Sequence, residues 1–187
     1  MRKRSISALA ALGLVVLAGA AAHIALTGPV PVAAEVHPAW TEVQWPFPID
    51  QWGTGKAFRC NARDCGTEVV VYLRPKIGFC NCTSGVADDQ ELERVADFGL
   101  FGDRQTALAP GRPIDVRWMK GRSRPYSFSS FPAKENSTLT IAFNDRCDVI
   151  VATVVAGHNR PAEMESVALE FLNGDTVIRW AEAALGL

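Results

Sequence analysis

The 187-residue sequence predicts an α+β domain: an antiparallel sheet of about four strands with helices packed on one face, in the order β-α-β-β-β-α-α, behind an N-terminal signal or anchor helix. Three observations predict it. Runs with a two-residue apolar period alternate with stretches of helical period, the chain opens on a basic and then apolar leader, and all five cysteines follow that leader. Hydrophobic residues at 48% and charged residues at 21% fit a globular domain and exclude a disordered chain, a coiled coil and a multi-span membrane protein. With 19 basic against 20 acidic residues, no basic field points to nucleic acid, and none is expected as a partner.

Arg2, Lys3 and Arg4 precede an apolar run from Ile6 to Ala22 broken only by Ser7, and Thr27-Gly28-Pro29 ends the pattern after His23 to Leu26. A basic segment followed by such a run is an export signal, and positive-inside orientation places the rest of the chain outside the cytoplasm. Small residues permit cleavage after Ala20 or after Ala34. Alternatively the 23 residues from Ser5 to Thr27 remain as an anchor, since roughly 20 apolar residues span a bilayer. The length of the run favours the anchor. Residues 1–27 are thus a signal-anchor or signal peptide. The expected location is the inner membrane, by a single N-terminal span with the domain in the periplasm, or else secretion to the periplasm. Residues 1–34 hold three basic and no acidic residues, so the remainder has 16 basic against 20 acidic, a net charge of −4.

Residues 28–57 form a Pro/Trp-rich extended arm. Pro29, Pro31, Pro38, Pro46 and Pro48 prevent a helix, and Trp40, Trp45, Phe47 and Trp52 decorate it. These aromatics either offer a surface to a partner or ligand or lie on the arm's own domain. The second is favoured, because three exposed tryptophans would be a large apolar patch.

Residues 58–187 are the disulfide-stapled domain. Thr67 to Arg74 is a strand that Pro75 ends. Asp88 and Glu91 have capping-box spacing before the stripe Leu92, Val95, Ala96, which predicts the first helix. Ile114 to Lys120 alternates, with Ile114, Val116 and Trp118 on one face; Leu139, Ile141 and Phe143 repeat the pattern. The turn Asn144-Asp145-Arg146 then leads into the apolar run Cys147 to Ala156, a central strand buried on both faces. Pro161 opens a helix with Met164, Val167, Ala168 and Phe171 on one stripe, and Asn173-Gly174 stops it. Asp175 caps the last helix, whose stripe is Val177, Ala181, Ala184 and Leu185.

The disulfide candidates are Cys60, Cys65, Cys80, Cys82 and Cys147. Outside the cytoplasm their default state is oxidised, and an odd number leaves one thiol over. Cys60 with Cys65 closes a short loop, and Cys147 is expected to bond either Cys80 or Cys82. A less favoured reading takes Cys60, Cys65, Cys80 and Cys82 as a zinc or copper site, although their spacing departs from that of a zinc ribbon. In a further one, the Cys80/Cys82 pair takes part in thiol exchange.

Arg117, Lys120, Arg122 and Arg124 gather around what reads as a turn, Lys120 to Pro125, an anion or partner patch. Asp88, Asp89, Glu91, Glu93, Asp97 and Asp103, offset by Arg94 and Arg104, make the first helix region acidic and offer these cations an internal counterpart, or else a docking surface for a partner. No GxSxG, HExxH, Walker or GxGxxG motif is present, and His37 and His158 stand alone. No catalytic residue and no cofactor are therefore expected. The function expected is that of an exported accessory or binding domain facing the periplasm, its partner an envelope protein or the membrane surface. The alternative is thiol-based redox or metal handling through Cys80 and Cys82.

Overall fold

The computed structural model describes residues 38–102, 104–130, 134–156 and 161–187. The leader, both cleavage points, His37, Asp103 and His158 lie outside them. Among the described residues no helix is long and apolar enough to cross a membrane.

Eight strands make up the antiparallel sheet: β1 (Trp40–Val43), β2 (Lys56–Cys60), β3 (Val69–Lys76), β4 (Arg104–Ala107), β5 (Arg112–Val116), β6 (Met119–Ser130), β7 (Lys134–Asp145) and β8 (Asp148–Ala156). The helices are α1 (Ala62–Cys65), α2 (Asp89–Val95), α3 (Pro161–Leu172) and α4 (Asp175–Leu185), with a 3-10 turn at Phe98–Leu100. The strand order is β1-β2-β3-β8-β7-β6-β4, and β5 also pairs with β6.

This corrects the expected four-stranded sheet. β1, β2 and β4 have four or five residues each and show little apolar alternation of their own. They are strands because a neighbour supplies the hydrogen-bonding edge: β3 for β2, β2 for β1 and β6 for β4. Pro75 lies inside β3 rather than ending it, beyond the last β2 pairing at Lys56↔Leu73, where that side of the strand is a free edge that tolerates proline.

The segment 114–120 is two strands, not one. It folds back at Arg117-Trp118, with Val116 opposite Met119, and Arg117 adopts a left-handed φ of 53°. Met119 is therefore buried and Trp118 is 51% exposed, the reverse of the expected faces. Lys120 to Pro125 is strand, not turn. Gly121 permits this: a Cβ there would lie 2.1 Å from the Ala142 carbonyl oxygen, so β6 and β7 approach closely only without one.

β8 is central, between β3 and β7, as its apolar run predicts. Its two faces need two covers. Ile150, Ala152 and Val154 join Val71, Leu73 and Ile141 under Met164, Ala168, Phe171 and Leu172 of α3 and Val177 and Ala181 of α4. Val149 and Val151 face the other way with Ala142, under Leu92 and Val95 of α2. The helices thus pack on both faces, not one. α3 lies across the strands: Glu165 hydrogen-bonds Ser123 of β6, while Phe171 stacks on Trp40 of β1 at 4.2 Å and meets Phe58 of β2 at 5.0 Å.

The predicted cap of α2 is present, with Asp88 Oδ1 accepting from the Glu91 N–H at 2.8 Å. Asp175 is not a cap. Gly174 holds that position, and the Asp175 carboxylate pairs with Arg117 at 2.6 Å.

Candidate binding cleft

Tyr72, Arg74 and Lys76 alternate along β3 on its α2 face, where their neighbours across the ladder are Thr153, Val151 and Val149. An apolar face that receives two cations must match them. Arg74 and Lys76 are each 3% exposed, and one buried carboxylate, Asp97, serves both. Arg74 donates from Nε to Asp97 Oδ2 at 3.1 Å and from Nη2 to Oδ1, a bidentate pair. Lys76 Nζ lies 2.9 Å from the same Oδ1 and also donates to the Val95 and Ala96 carbonyls, at the end of α2 where a cation is favoured.

A second carboxylate, Asp50, closes the set from the solvent side. Its Oδ2 accepts from Arg74 Nη1 at 2.7 Å, and its Oδ1 accepts from the Trp52 N–H at 2.8 Å. The Gly53 N–H to Asp50 carbonyl bond, 2.9 Å, makes residues 50–53 a tight turn. The Trp52 ring then lies 4.5 Å from Phe79 by centroids, and the Lys76 ammonium is 5.6 Å and 5.5 Å from the two rings. Above Arg74, Lys76 and Asp97 opens a cleft of about 550 Å³, walled by Gln51, Trp52, Gly99 and Leu100.

Burial pulls the Lys76 ammonium below the usual lysine range, against the opposing pull of Asp97. Burial would also lower Arg74, but the hydrogen bonds and charges of Asp97 and Asp50 outweigh it and hold the guanidinium above its ordinary value. Asp50 is held below the usual carboxylate range, because the Trp52 N–H and Arg74 outweigh the effect of burial. A buried lysine with a displaced titration at the floor of an open cleft is a recognised mark of a functional site.

Sequence reasoning missed this cluster. Ending the strand at Pro75 hid the i, i+2 relation of Arg74 and Lys76, which was the available signal. Asp50 and Asp97 are 47 positions apart in the sequence and carry none. The aromatic arm was legible in part: Trp40, Trp45 and Phe47 pack on the domain, Phe47 against Tyr72 and Phe101 at 5.0 Å each, whereas Trp52 borders the cleft.

The cysteines pair as Cys60–Cys65 and Cys82–Cys147, with Cα separations of 6.1 Å and 4.2 Å. Cys80 is a buried free thiol. Its N–H donates to the Cys147 carbonyl at 3.0 Å and its Sγ lies 3.2 Å from the Arg146 carbonyl oxygen. Burial first, then Glu91 and Asp148, push that thiol up to about 11. Cys60 and Cys65 bond each other and Cys82 bonds Cys147, so the four sulfurs of the zinc or copper reading do not form one thiolate set. Among the described residues no group of three or more His, Cys, Asp or Glu is placed to hold a metal ion.

The four cations of the expected anion patch are matched internally. Arg122 pairs with Asp89, Arg124 with Asp89 at 3.4 Å and Glu93 at 2.7 Å, Lys120 with Asp115 at 2.6 Å, and Arg117 with Asp175. The acidic face of α2 is the counterpart of β6. Glu165, 7% exposed, accepts from Ser123 on one oxygen and pairs with Arg112 through the other, which satisfies a buried carboxylate.

Comparison with known protein families and with curated proteins finds no match for this chain.

Proposed function

We propose that the chain is an exported accessory domain, membrane-anchored or secreted into the periplasm, whose non-catalytic role is to bind an envelope component in the Trp52–Arg74–Lys76–Asp97 cleft. Two features support the compartment. Disulfides persist where the surroundings are oxidising, and this domain holds two. The basic and then apolar leader has the form of an export signal or anchor. The observation that carries the binding role is that two buried cations and their one buried counter-ion floor an open cleft rather than a closed core.

Two measurements test the reading. The full chain, expressed in a bacterium, is expected in the membrane fraction after high-salt and carbonate washes if anchored, or in the periplasmic fraction if cleaved; recovery in the cytosol with five reduced thiols counts against it. For binding, the cross-peaks of Trp52 and Leu100 are followed during titration with sugars, amino acids, short peptides and organic acids. A binder of any charge moves them and leaves Leu187 unmoved. If no compound in the set moves them, the cleft is not a binding site.

A thiol-based role through Cys80 is the second reading. It is favoured by one observation, the 3.0 Å bond from the Cys80 N–H to the Cys147 carbonyl, which holds the free thiol's backbone against that of a bridged cysteine. The raised thiol opposes it, since the thiolate is the nucleophile.

A further inference from the structure

We propose that the cleft is a seat for a small organic oxyanion with an apolar or aromatic body, and that Asp50 is the anion's tethered competitor on Arg74. This rests on the cleft being the binding site and names its ligand class.

The buried charges do not balance by themselves. They are two cations, Arg74 and Lys76, and one carboxylate, Asp97. One positive charge is left over, and an unmatched buried charge is costly. Asp50 supplies the missing negative charge.

The two carboxylates are not equivalent. The Asp97 side chain is 5% exposed and binds both cations, so it is a fixed part of the floor. The Asp50 side chain is 39% exposed, meets Arg74 through one oxygen and sits on a turn joined to itself by the Asp50↔Gly53 bridge. It is a tethered surface anion at the mouth of the cleft. Because Lys76 spends its donors on Val95, Ala96 and Asp97, the exchangeable position is Arg74 Nη1 alone. A guanidinium edge favours a carboxylate or phosphate oxygen. Trp52 and Leu100, on the walls of the same cleft, provide apolar surface for the rest of such a ligand.

A tethered competitor weakens a free ligand through its high local concentration. Removing Asp50 should therefore strengthen binding, whereas removing a group that itself contacts the ligand would weaken it. The test titrates the full, oxidised chain with benzoate, phenyl phosphate and neutral benzamide by calorimetry, comparing wild type with Asp50→Asn and Asp50→Ser. The expected result is that both variants bind benzoate or phenyl phosphate about tenfold tighter or more than wild type, that Arg74→Lys loses this gain, and that benzamide does not respond to position 50. The tighter of the two anions identifies carboxylate or phosphate. Anion binding that is absent, or unchanged in both variants while near-ultraviolet dichroism shows them folded, overturns the proposal. If neutral benzamide binds as tightly as both anions in wild type and in the variants, the cleft remains a binding site and only the anion assignment falls.

Discussion

The Lys76 ammonium lies 2.9 Å from the Asp97 carboxylate, and each side chain is within a few per cent of complete burial. Asp97 also carries the bidentate contact with Arg74, so two buried cations share one carboxylate. Asp97→Asn takes the carboxylate from Lys76 and leaves Arg74 with the half-exposed Asp50 alone, and should cost about 3–5 kcal/mol. Lys76→Met removes a charge from a neighbourhood that then holds one cation and two carboxylates, and should cost less. Urea denaturation of both variants measures the difference. Equal midpoints for Asp97→Asn and wild type would show that the cluster is not buried in solution.

Val151 is fully buried on the α2 face of β8, opposite Arg74 on one side and Ala142 on the other. Val151→Asp places a carboxylate against an already satisfied set of charges and should destabilise the fold by several kcal/mol. Thermal melting within a degree or two of wild type would mean that β8 is not covered on that face.

The two disulfides should differ in worth. Cys82–Cys147 joins positions 65 apart, and in the chain-entropy model such a loop contributes roughly 4 kcal/mol. Cys60–Cys65 spans a separation of 5 and constrains the unfolded chain far less. The double variant Cys82→Ala/Cys147→Ala is therefore expected to melt lower than Cys60→Ala/Cys65→Ala. Alkylation followed by peptide mapping should label Cys80 alone, and only after unfolding. Labelling of Cys80 in the native state would contradict its burial.

Acid should destabilise the domain through three carboxylates. Arg94 lowers Glu91, Arg122 lowers Asp89 against the opposing effect of burial, and Trp52 with Arg74 lowers Asp50. A carboxylate whose folded value is depressed contributes stability that is present above its unfolded value and disappears as pH falls through the folded one. Unfolding free energy measured from about pH 5 down to about pH 2 should fall, and Asp89→Asn should make the fall shallower. A flat profile over that window would show that these pairs are not formed in solution.

How much was legible beforehand depends on the range of the interactions. The two-face burial of β8, the Asp88 cap and the helix from Pro161 are local patterns, and each was readable over a few residues. The hairpin at Arg117-Trp118 was not. Alternation continues unbroken through Val116 and Trp118, and only the pairing of Val116 with Met119 reveals that the chain has reversed. For the cysteines, composition and compartment predicted oxidation and narrowed Cys147 to two partners. Selecting Cys82 needed the Cys80 backbone to pair with Cys147, which leaves Cys82 at the bonding distance.

By itself, then, the sequence determined a disulfide-bonded α+β domain behind an apolar leader, its central strand, its principal helices and the short Cys60–Cys65 loop, because periodicity, caps and close cysteines act within about a dozen residues. The tertiary structure decided the eight-stranded sheet, the helix on each face, the mutual neutralisation of α2 and β6, and the cleft. All of these join residues far apart in the chain: Asp50 meets Arg74, and Arg74 meets Asp97, only where the turn at residues 50–53 and the segment after α2 come together at the end of β3. A charge in an extended strand looks exposed until the far segment that buries and matches it is in place.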